Sequence, residues 1–207
     1  MEKELEIKKY ELIKDDFIIL EDNKLYRIRA LKDFSNVSAG NIGGYIESKN
    51  NLSQEDNCWV YDDAKVYGNT IVCDNAMVCG KSIICGNAVV CDNAIVCGKS
   101  TICDNAVVCG KSTIYENAKV YGNAIICGNA WVCDYSKVFG NAIVCDNSVV
   151  FGNAIVCDNA MVCGKSTICD NTVVCDNAIV CGKSTIYDDA IVCDNSVVFG
   201  NMEVCSN

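Results

Sequence analysis

Hydrophobic positions recur every six residues along most of the chain. A Val or Ile occupies 25 successive positions from Val60 to Val204, without any insertion. A small residue, most often Ala, Ser or Thr, follows four positions after each of them, as at Ala76 and Ser112. A two-residue step, most often Asp-Asn, Gly-Asn or Gly-Lys, separates the units. A helix is excluded, because its hydrophobic repeat is about 3.6 residues.

Each unit is therefore predicted to be a short strand followed by a corner. In the tetrapeptide Ala-Ile-Val-Cys, strand alternation places Ala and Val on one side and Ile and Cys on the other. The aliphatic and the small residue of each unit are expected to face a core. The corner residues Gly, Asn and Asp tolerate turns and left-handed backbone.

This repeat resembles that of the hexapeptide-repeat, left-handed parallel β-helix family. The family motif is an aliphatic residue, a small or acidic one, two variable residues, a small one and another variable one. The resemblance covers Val60 to Val204, with Cys, Tyr or Phe at the position where the family often has Gly. In that family three units make one triangular coil. The resemblance implies an all-β protein, a single-stranded left-handed parallel β-helix of about eight triangular coils over residues 57–207.

Residues 1–56 are predicted to form a small N-terminal β cap and entry region. The segments YELI, FIIL and KLYRIRAL predict short strands, EDNK predicts a turn, and SAGNIGGYI predicts a glycine-rich loop. Arg27, Arg29 and Lys32 offer an alternative role as a small anion site. The stretch from Leu25 to Asn69 resembles the entry region of YdcK-like bacterial and phage hexapeptide-repeat proteins, which are often labelled transferases because of their fold.

If three units make a coil, every third unit lies on the same face and the outward residues form three columns. The first face carries Trp59, Met77, Ile95, Thr113, Trp131, Val149, Thr167, Thr185 and Glu203. The second face carries Lys65, Ile83, Thr101, Lys119, Lys137, Ile155, Val173 and Ile191. The third face carries Ile71, Val89, Val107, Ile125, Ile143, Met161, Ile179 and Val197, beside a thiol column of Cys73, Cys91, Cys109, Cys127, Cys145, Cys163 and Cys181.

The third face is the candidate interaction surface because its column has no polar residue. Such a strip reaches the size at which an exposed apolar patch marks an interaction site. We therefore predict a non-enzymatic, rigid β-solenoid that acts as an interaction or scaffold protein and self-associates as a dimer or trimer. Its predicted interface is the eight aliphatic or Met residues of the third face with Cys91, Cys109, Cys127, Cys145 and Cys163. Two alternatives are that residues 1–56 fold over this face, or that a host protein binds it.

The regular cysteines predict architecture rather than chemistry. Side chains on in-register parallel strands point the same way, which is unsuited to a relaxed disulfide, so we expect free thiols. Zinc requires four convergent ligands, and a straight ladder offers only pairs unless two copies dock. We predict no catalytic residue, no cofactor and no metal. At one corner, a ladder of mutual hydrogen bonds is expected along Asn69, Asn87, Asn105, Asn123, Asn141, Asn159, Asn177 and Asn195.

Enzymatic activity is not favoured. Acyltransferases of the hexapeptide-repeat family use a His base, and carbonic-anhydrase-type relatives use His ligands, whereas this chain has no His. Two alternatives remain: an acyltransferase-like enzyme with another base, and a phage-type inhibitor that mimics DNA or sequesters a ligand. A fold alone does not decide between these classes.

The net charge and the first residues of the chain limit the kinds of partner and the cellular compartment that we expect. The net charge of −10 and a pI near 4.4 argue against nucleic-acid binding through phosphate neutralisation. The opening MEKELEIKKYELIKDD lacks the apolar core of a signal peptide, and no apolar run reaches membrane-spanning length. We therefore expect a cytoplasmic protein without membrane association, in which thiols are kept reduced.

Overall fold

The computed structural model describes residues 8–206, which form two regions. The N-terminal region contains β1 (Tyr10–Leu20), β2 (Asn23–Ala30), β3 (Ile42–Ile46) and a short 3-10 helix (Lys49–Asn51). Strands β1 to β3 are antiparallel neighbours. No α-helix occurs between residues 8 and 206.

The second region is a run of two-residue strands at the predicted six-residue spacing. They are β4 (Trp59–Val60), β5 (Lys65–Val66), β6 (Ile71–Val72), β7 (Met77–Val78), β8 (Ile83–Ile84), β9 (Val89–Val90), β10 (Ile95–Val96), β11 (Thr101–Ile102), β12 (Val107–Val108), β13 (Thr113–Ile114), β14 (Lys119–Val120), β15 (Ile125–Ile126), β16 (Trp131–Val132), β17 (Lys137–Val138), β18 (Ile143–Val144), β19 (Val149–Val150), β20 (Ile155–Val156), β21 (Met161–Val162), β22 (Thr167–Ile168), β23 (Val173–Val174), β24 (Ile179–Val180), β25 (Thr185–Ile186), β26 (Ile191–Val192), β27 (Val197–Val198) and β28 (Glu203–Val204).

Each short strand pairs in parallel with the third strand before and the third strand after it. The result is a parallel β-solenoid with three sheets, of 11, 9 and 8 strands. It makes about nine turns rather than the predicted eight, because β3 pairs in parallel with β5 and Leu52 bridges Val72. The all-β solenoid is thus confirmed. Its left-handed winding and the domain boundary after residue 56 stay predictions.

The solenoid core consists of the inward Val and Ile residues and the small residues beside them. Ile84, Ile102 and Ile126 are fully buried, as are Ala88 and Ser112. The Ser112 hydroxyl donates to the Cys109 carbonyl at 2.8 Å, which satisfies its polar group inside the core. Burial of each aliphatic side chain contributes roughly 1.5–3 kcal/mol before chain entropy opposes it.

The corners explain why the two-residue step alternates between Asp and Gly. The first corner residue adopts a left-handed conformation, with φ of 60° at Asp104 and 72° at Gly122. The Asp104 carboxylate then accepts a hydrogen bond of 2.9 Å from the Gly122 amide, one coil further on. An Asp therefore supplies an acceptor for the next coil, whereas a Gly lowers the conformational cost of positive φ.

The cap region differs from its sequence prediction in two places. YELI and FIIL belong to the single strand β1, which carries an irregularity between Ile13 and Phe17. The prediction of a glycine-rich loop is wrong over Ile42–Ile46. This segment forms strand β3, which pairs with β5. A Cβ atom at Gly43 would lie 2.5 Å from the Val60 carbonyl oxygen. Glycine there lets β3 pack directly against the first coil, which is a packing role and not a loop signal.

A buried lysine and an aromatic cluster attach the cap to the solenoid. The Lys9 ammonium donates to the carbonyl oxygens of Asp56 at 2.7 Å and Cys58 at 3.1 Å, and burial lowers the Lys9 pKa. The Trp59 ring packs edge-on against Tyr10 and Phe34, with centroids 6.0 and 5.4 Å apart. These contacts cover the first coil and protect its strand edges.

From residue 8 onward, the cap extends the sheet of the second face and leaves the third uncovered. The 11-stranded sheet begins with β1, β2 and β3 and continues into β5, whereas the third-face sheet begins at β6.

The anion site formed by Arg27, Arg29 and Lys32 stays an alternative prediction, and both of its arginines have acidic partners. Arg27 lies 3.6 Å from Asp16, and Arg29 donates to Glu11 at 2.8 Å.

Candidate functional site

The structure brings the predicted third-face residues into one straight column. Ile125 of β15 lies between Val107 of β12 and Ile143 of β18, each in register. The same register joins every neighbouring pair along Ile71, Val89, Val107, Ile125, Ile143, Met161, Ile179 and Val197. The spacing of 18 residues is therefore one turn, as the sequence predicts. Whether these residues form an interface stays a prediction.

This column is open to solvent. Ile71 is 46% exposed, Ile125 37% and Val197 62%, and the other five members are partly exposed. Their inward neighbours on the same strands, such as Val72 and Ile126, are fully buried. The described part of the N-terminal region thus leaves the face uncovered, so the third face presents a continuous row of aliphatic and Met side chains.

The thiol column follows the same face. All 18 cysteines of the chain are free thiols, and the seven from Cys73 to Cys181 on this face are partly exposed. Burial, followed by the nearby Asp carboxylates, raises the pKa of Cys91 to about 11. Burial likewise raises the pKa of Cys145 to about 12, with Asp146 as the next cause. Near neutral pH Cys91 and Cys145 are therefore protonated and weakly polar.

A row of asparagine side chains borders the third face. The Asn123 amide donates to the Asn141 side-chain oxygen at 3.0 Å, and Asn105 donates to Asn123 at 2.9 Å. The ladder runs without a gap along the predicted residues Asn69, Asn87, Asn105, Asn123, Asn141, Asn159, Asn177 and Asn195. The predicted ladder is confirmed. It fixes the corner beside the third face in the same geometry at each turn.

The corner residues Asp158, Asp176 and Asp194 lie in one column on successive coils, and backbone hydrogen bonds connect them. The amide of Asp176 donates to the Asp158 carboxylate at 3.5 Å, and the amide of Asp194 donates to Asp176 at 3.2 Å. Backbone amides thus offset part of the repulsion between these stacked like charges. This role of the αL corner Asp was not predicted from the sequence, which shows only that Asp alternates with Gly.

A shallow cavity of about 430 Å³ lies elsewhere on the solenoid. It is lined by Lys99, Asn117, Lys119, Tyr135, Lys137 and Asn153. None of its three lysines forms an ion pair with a residue between 8 and 206. Three cations in a chain of net charge −10 make this cavity the local exception to an acidic surface. The sequence places Lys119 and Lys137 side by side on the second face, but it did not indicate the cavity, because Lys99 stands at a corner position of the repeat.

Comparison with known proteins yields a partial match. A stretch of 49 residues is 43% identical to the uncharacterized acetyltransferase YdcK of Escherichia coli strain K12. Together with the repeat and the solenoid, this match fits the hexapeptide-repeat family. The aligned stretch spans only 23% of this hexapeptide-repeat chain and 15% of that relative. No protein-family model matches the sequence.

The structure also bears on membranes. Within residues 8–206, no helix has both the length and the apolar character that a membrane crossing requires. The predicted cytoplasmic location stays a prediction.

Proposed function

We propose that this chain is a rigid, non-enzymatic scaffold whose solenoid self-associates through the third face. The observation that carries the proposal is the uninterrupted column from Ile71 to Val197, which is exposed yet contains no polar residue. An apolar strip of this extent is unfavourable in water, and a partner surface would bury it. A straight β-solenoid supplies the rigidity that keeps the strip flat.

The occupant that fits this surface best is a second copy of the chain. In a two-fold dimer the same patch lies on both subunits, so a patch must be complementary to itself. A uniform aliphatic strip meets this requirement without needing an opposite charge on the partner. The second face does not, because Lys65, Lys119 and Lys137 would meet like charges. We therefore assign a dimer rather than a trimer.

The dimensions of the face are consistent with a stable pair. Eight strands at about 4.8 Å make a face ~40 Å tall, and a width of ~15 Å gives ~600 Å² per copy. Two copies would bury ~1,200 Å² in total, which is the lower end of specific interfaces. The expected association is therefore reversible and depends on protein concentration.

Light scattering coupled to size exclusion, under reducing conditions, tests the proposal. We compare the native chain with Ile125→Lys on the third face and with the matched control Ile155→Lys on the second face. The native chain and the control are expected to elute as dimers, and Ile125→Lys as a monomer. A native monomer at all accessible concentrations, or a dimer that survives Ile125→Lys, would contradict the proposal.

Acyl transfer is a second candidate, supported by the lysine cavity and by the name of the YdcK relative. The phosphate groups of an acyl-coenzyme A donor carry negative charge that Lys99, Lys119 and Lys137 would attract. Calorimetric titration with acetyl-coenzyme A tests it. Binding that is lost in Lys119→Glu and retained in Lys81→Glu, which changes a lysine outside the cavity, would support acyl transfer over the scaffold role.

A further inference from the structure

The third face carries a second ordered feature, a ladder of seven thiols with no gap. Each cysteine lies two residues after a third-face position, and neighbouring strands on this face pair in register. Neighbouring thiols in the ladder are therefore one coil apart, about 4.8 Å along the solenoid axis. The ladder consists of Cys73, Cys91, Cys109, Cys127, Cys145, Cys163 and Cys181.

The sulfur atoms come close enough to share a ligand. The sulfurs of Cys145 and Cys163 and a carboxylate oxygen of Asp146 all lie within 4.8 Å of one another. The thiols are partly exposed, so an ion can reach them from solvent. Repetition of one thiol per coil gives the same spacing along the whole column.

This spacing matches a two-coordinate metal ion. The zinc–thiolate bond is about 2.3 Å long, and a linear sulfur–metal–sulfur unit with bonds of similar length separates its two sulfurs by about 4.6 Å. The separation of strands in a sheet is about 4.8 Å. An ion that accepts linear coordination therefore fits between two consecutive thiolates, with only a small adjustment of the cysteine rotamers.

The geometry points to the third-face thiol ladder as a binding site for monovalent soft metal ions of the Cu(I) and Ag(I) class. Thiolates are soft ligands and select such ions. Each ion would bridge two consecutive sulfurs, and each sulfur would bind one ion, because a second ion on the opposite side of the same sulfur would require a straight metal–sulfur–metal angle that a thiolate does not adopt. The prediction of no metal site assumes zinc, which requires four tetrahedral ligands. That requirement does not apply to an ion that binds two ligands in a line.

Binding exchanges protons for metal. Each bound sulfur loses its thiol proton to solvent and donates a lone pair to the ion, and no electron changes hands. Each pair of thiolates with one monovalent ion carries one net negative charge. Affinity should rise with pH, because the protons must leave.

The number of ions is set by the number of separate pairs of stacked thiols. The seven ladder thiols provide three such pairs. On the other faces, Cys79 pairs with Cys97, Cys85 pairs with Cys103, and the run of Cys157, Cys175 and Cys193 provides one pair, which adds three. The native chain should therefore retain about six ions when a competing thiol removes ions held by one sulfur.

Native mass spectrometry of the full chain titrated with Ag(I) in excess glutathione tests this inference. Cys127→Ser divides the ladder into two runs of three thiols, each of which holds one pair, so it should cost one ion. The matched control is Cys133→Ser on the first face, whose column neighbours are Tyr115 and Phe151. That control should cost none. Cys73→Ser, at the end of the ladder, should also cost none, because the six remaining thiols still form three pairs.

Two outcomes would overturn the inference. One is an equal loss of ions in Cys127→Ser and Cys133→Ser, which indicates binding to single thiols. The other is a native chain that loses all its silver to glutathione. Circular dichroism of each variant checks that the solenoid is retained. Cys91→Ser, which leaves a single thiol and a run of five, should also cost one ion and provides a second interior variant.

The inference is independent of the proposed dimer. The titration is repeated on Ile125→Lys, which keeps every cysteine. Unchanged stoichiometry in a monomeric Ile125→Lys would place the site within one chain. If the native chain is a monomer and still retains about six ions, the proposed function fails while the metal site stands.

Discussion

The second and third faces of the solenoid are built alike inside and differ outside. On the inner side, Ile102 of the second face and Ile126 of the third are both fully buried. On the outer side, the second face is interrupted by Lys65, Lys119 and Lys137, whereas the third has no charge from Ile71 to Val197. The fold requires the inner pattern on every face. The outer pattern is free of that requirement, so its uniformity on one face points to function.

The largest expected effect is on the shared interior. Ile126→Asp and Ile102→Asp each place a carboxylate in the core and should destabilise the solenoid by about 4 kcal/mol or more. The two faces should respond equally. Thr101→Asp, on the outer side of the same strand as Ile102 and outside the proposed interface, is the matched control and should change stability by less than about 1 kcal/mol. Thermal unfolding measures all three, and an unchanged melt for Ile126→Asp would refute its inward position.

The next prediction converts the second face into a copy of the third. The double substitution Lys119→Ile with Lys137→Ile removes two adjacent charges and leaves an apolar column interrupted only at Thr101 and Lys65. We expect assemblies larger than the native dimer, because each copy would then carry two apolar faces. Sedimentation velocity measures the change. Thr101→Val is the control and should leave the native mass, whereas a double variant with native mass would show that an apolar column alone is insufficient.

Alkaline pH should lower the free energy of unfolding through thiols on both the second and the third face. Burial raises the pKa of Cys73 on the third face and of Cys157 on the second to about 12, from an ordinary value of 9.0. Above pH 9 the unfolded chain loses these thiol protons while the folded chain keeps them, so the free energy of unfolding falls as pH rises toward 12.

Cys85 and Cys97 have the opposite effect on stability. Their lowered pKa makes the free energy of unfolding increase with pH, but only below pH 9. Each accepts a hydrogen bond from a neighbouring thiol, which lowers its pKa. Urea unfolding at pH 7.5, 9 and 10.5 measures the balance. Stability that stays constant or increases between pH 9 and 10.5 would contradict the prediction.

The smallest expected effect concerns the corner beside the third face. Asn123→Ala removes two rungs of the asparagine ladder, one to Asn105 and one to Asn141. Net hydrogen bonds of this kind contribute about 0.5–1.5 kcal/mol each, and exposure places these at the lower end. Asn117→Ala, at a corner where Lys99 and Tyr135 are the stacked neighbours, is the control. Equal melting temperatures for the two variants would show that the ladder contributes nothing.

The sequence predicts the repetitive part of this molecule well because one physical rule applies at each unit. The six-residue period places Val and Ile inside, and the 18-residue period assigns Ile125 to the column of Val107 and Ile143. The asparagine ladder follows from the same register. Each of these inferences uses residues whose environment repeats.

Prediction is weaker where an environment occurs once. Gly43 and Gly44 suggest a loop, and only the contact with the Val60 and Ala64 carbonyls shows that they let a strand pack closely. The buried Lys9 depends on acceptors 47 and 49 residues away, at Asp56 and Cys58. The lysine cavity likewise combines side chains from several coils, which no local pattern reveals.

Small-angle X-ray scattering of the native chain over a concentration series tests the central claim most directly, because it measures mass and shape together. Side-by-side docking through the third face predicts a doubled mass with a nearly unchanged longest dimension, since two rods of ~45 Å lie next to each other. The cross-section of the native particle should exceed that of a single rod. In Ile125→Lys it should equal the single-rod value. A particle of monomer mass at every concentration, or a doubled mass with a doubled length, would contradict the account.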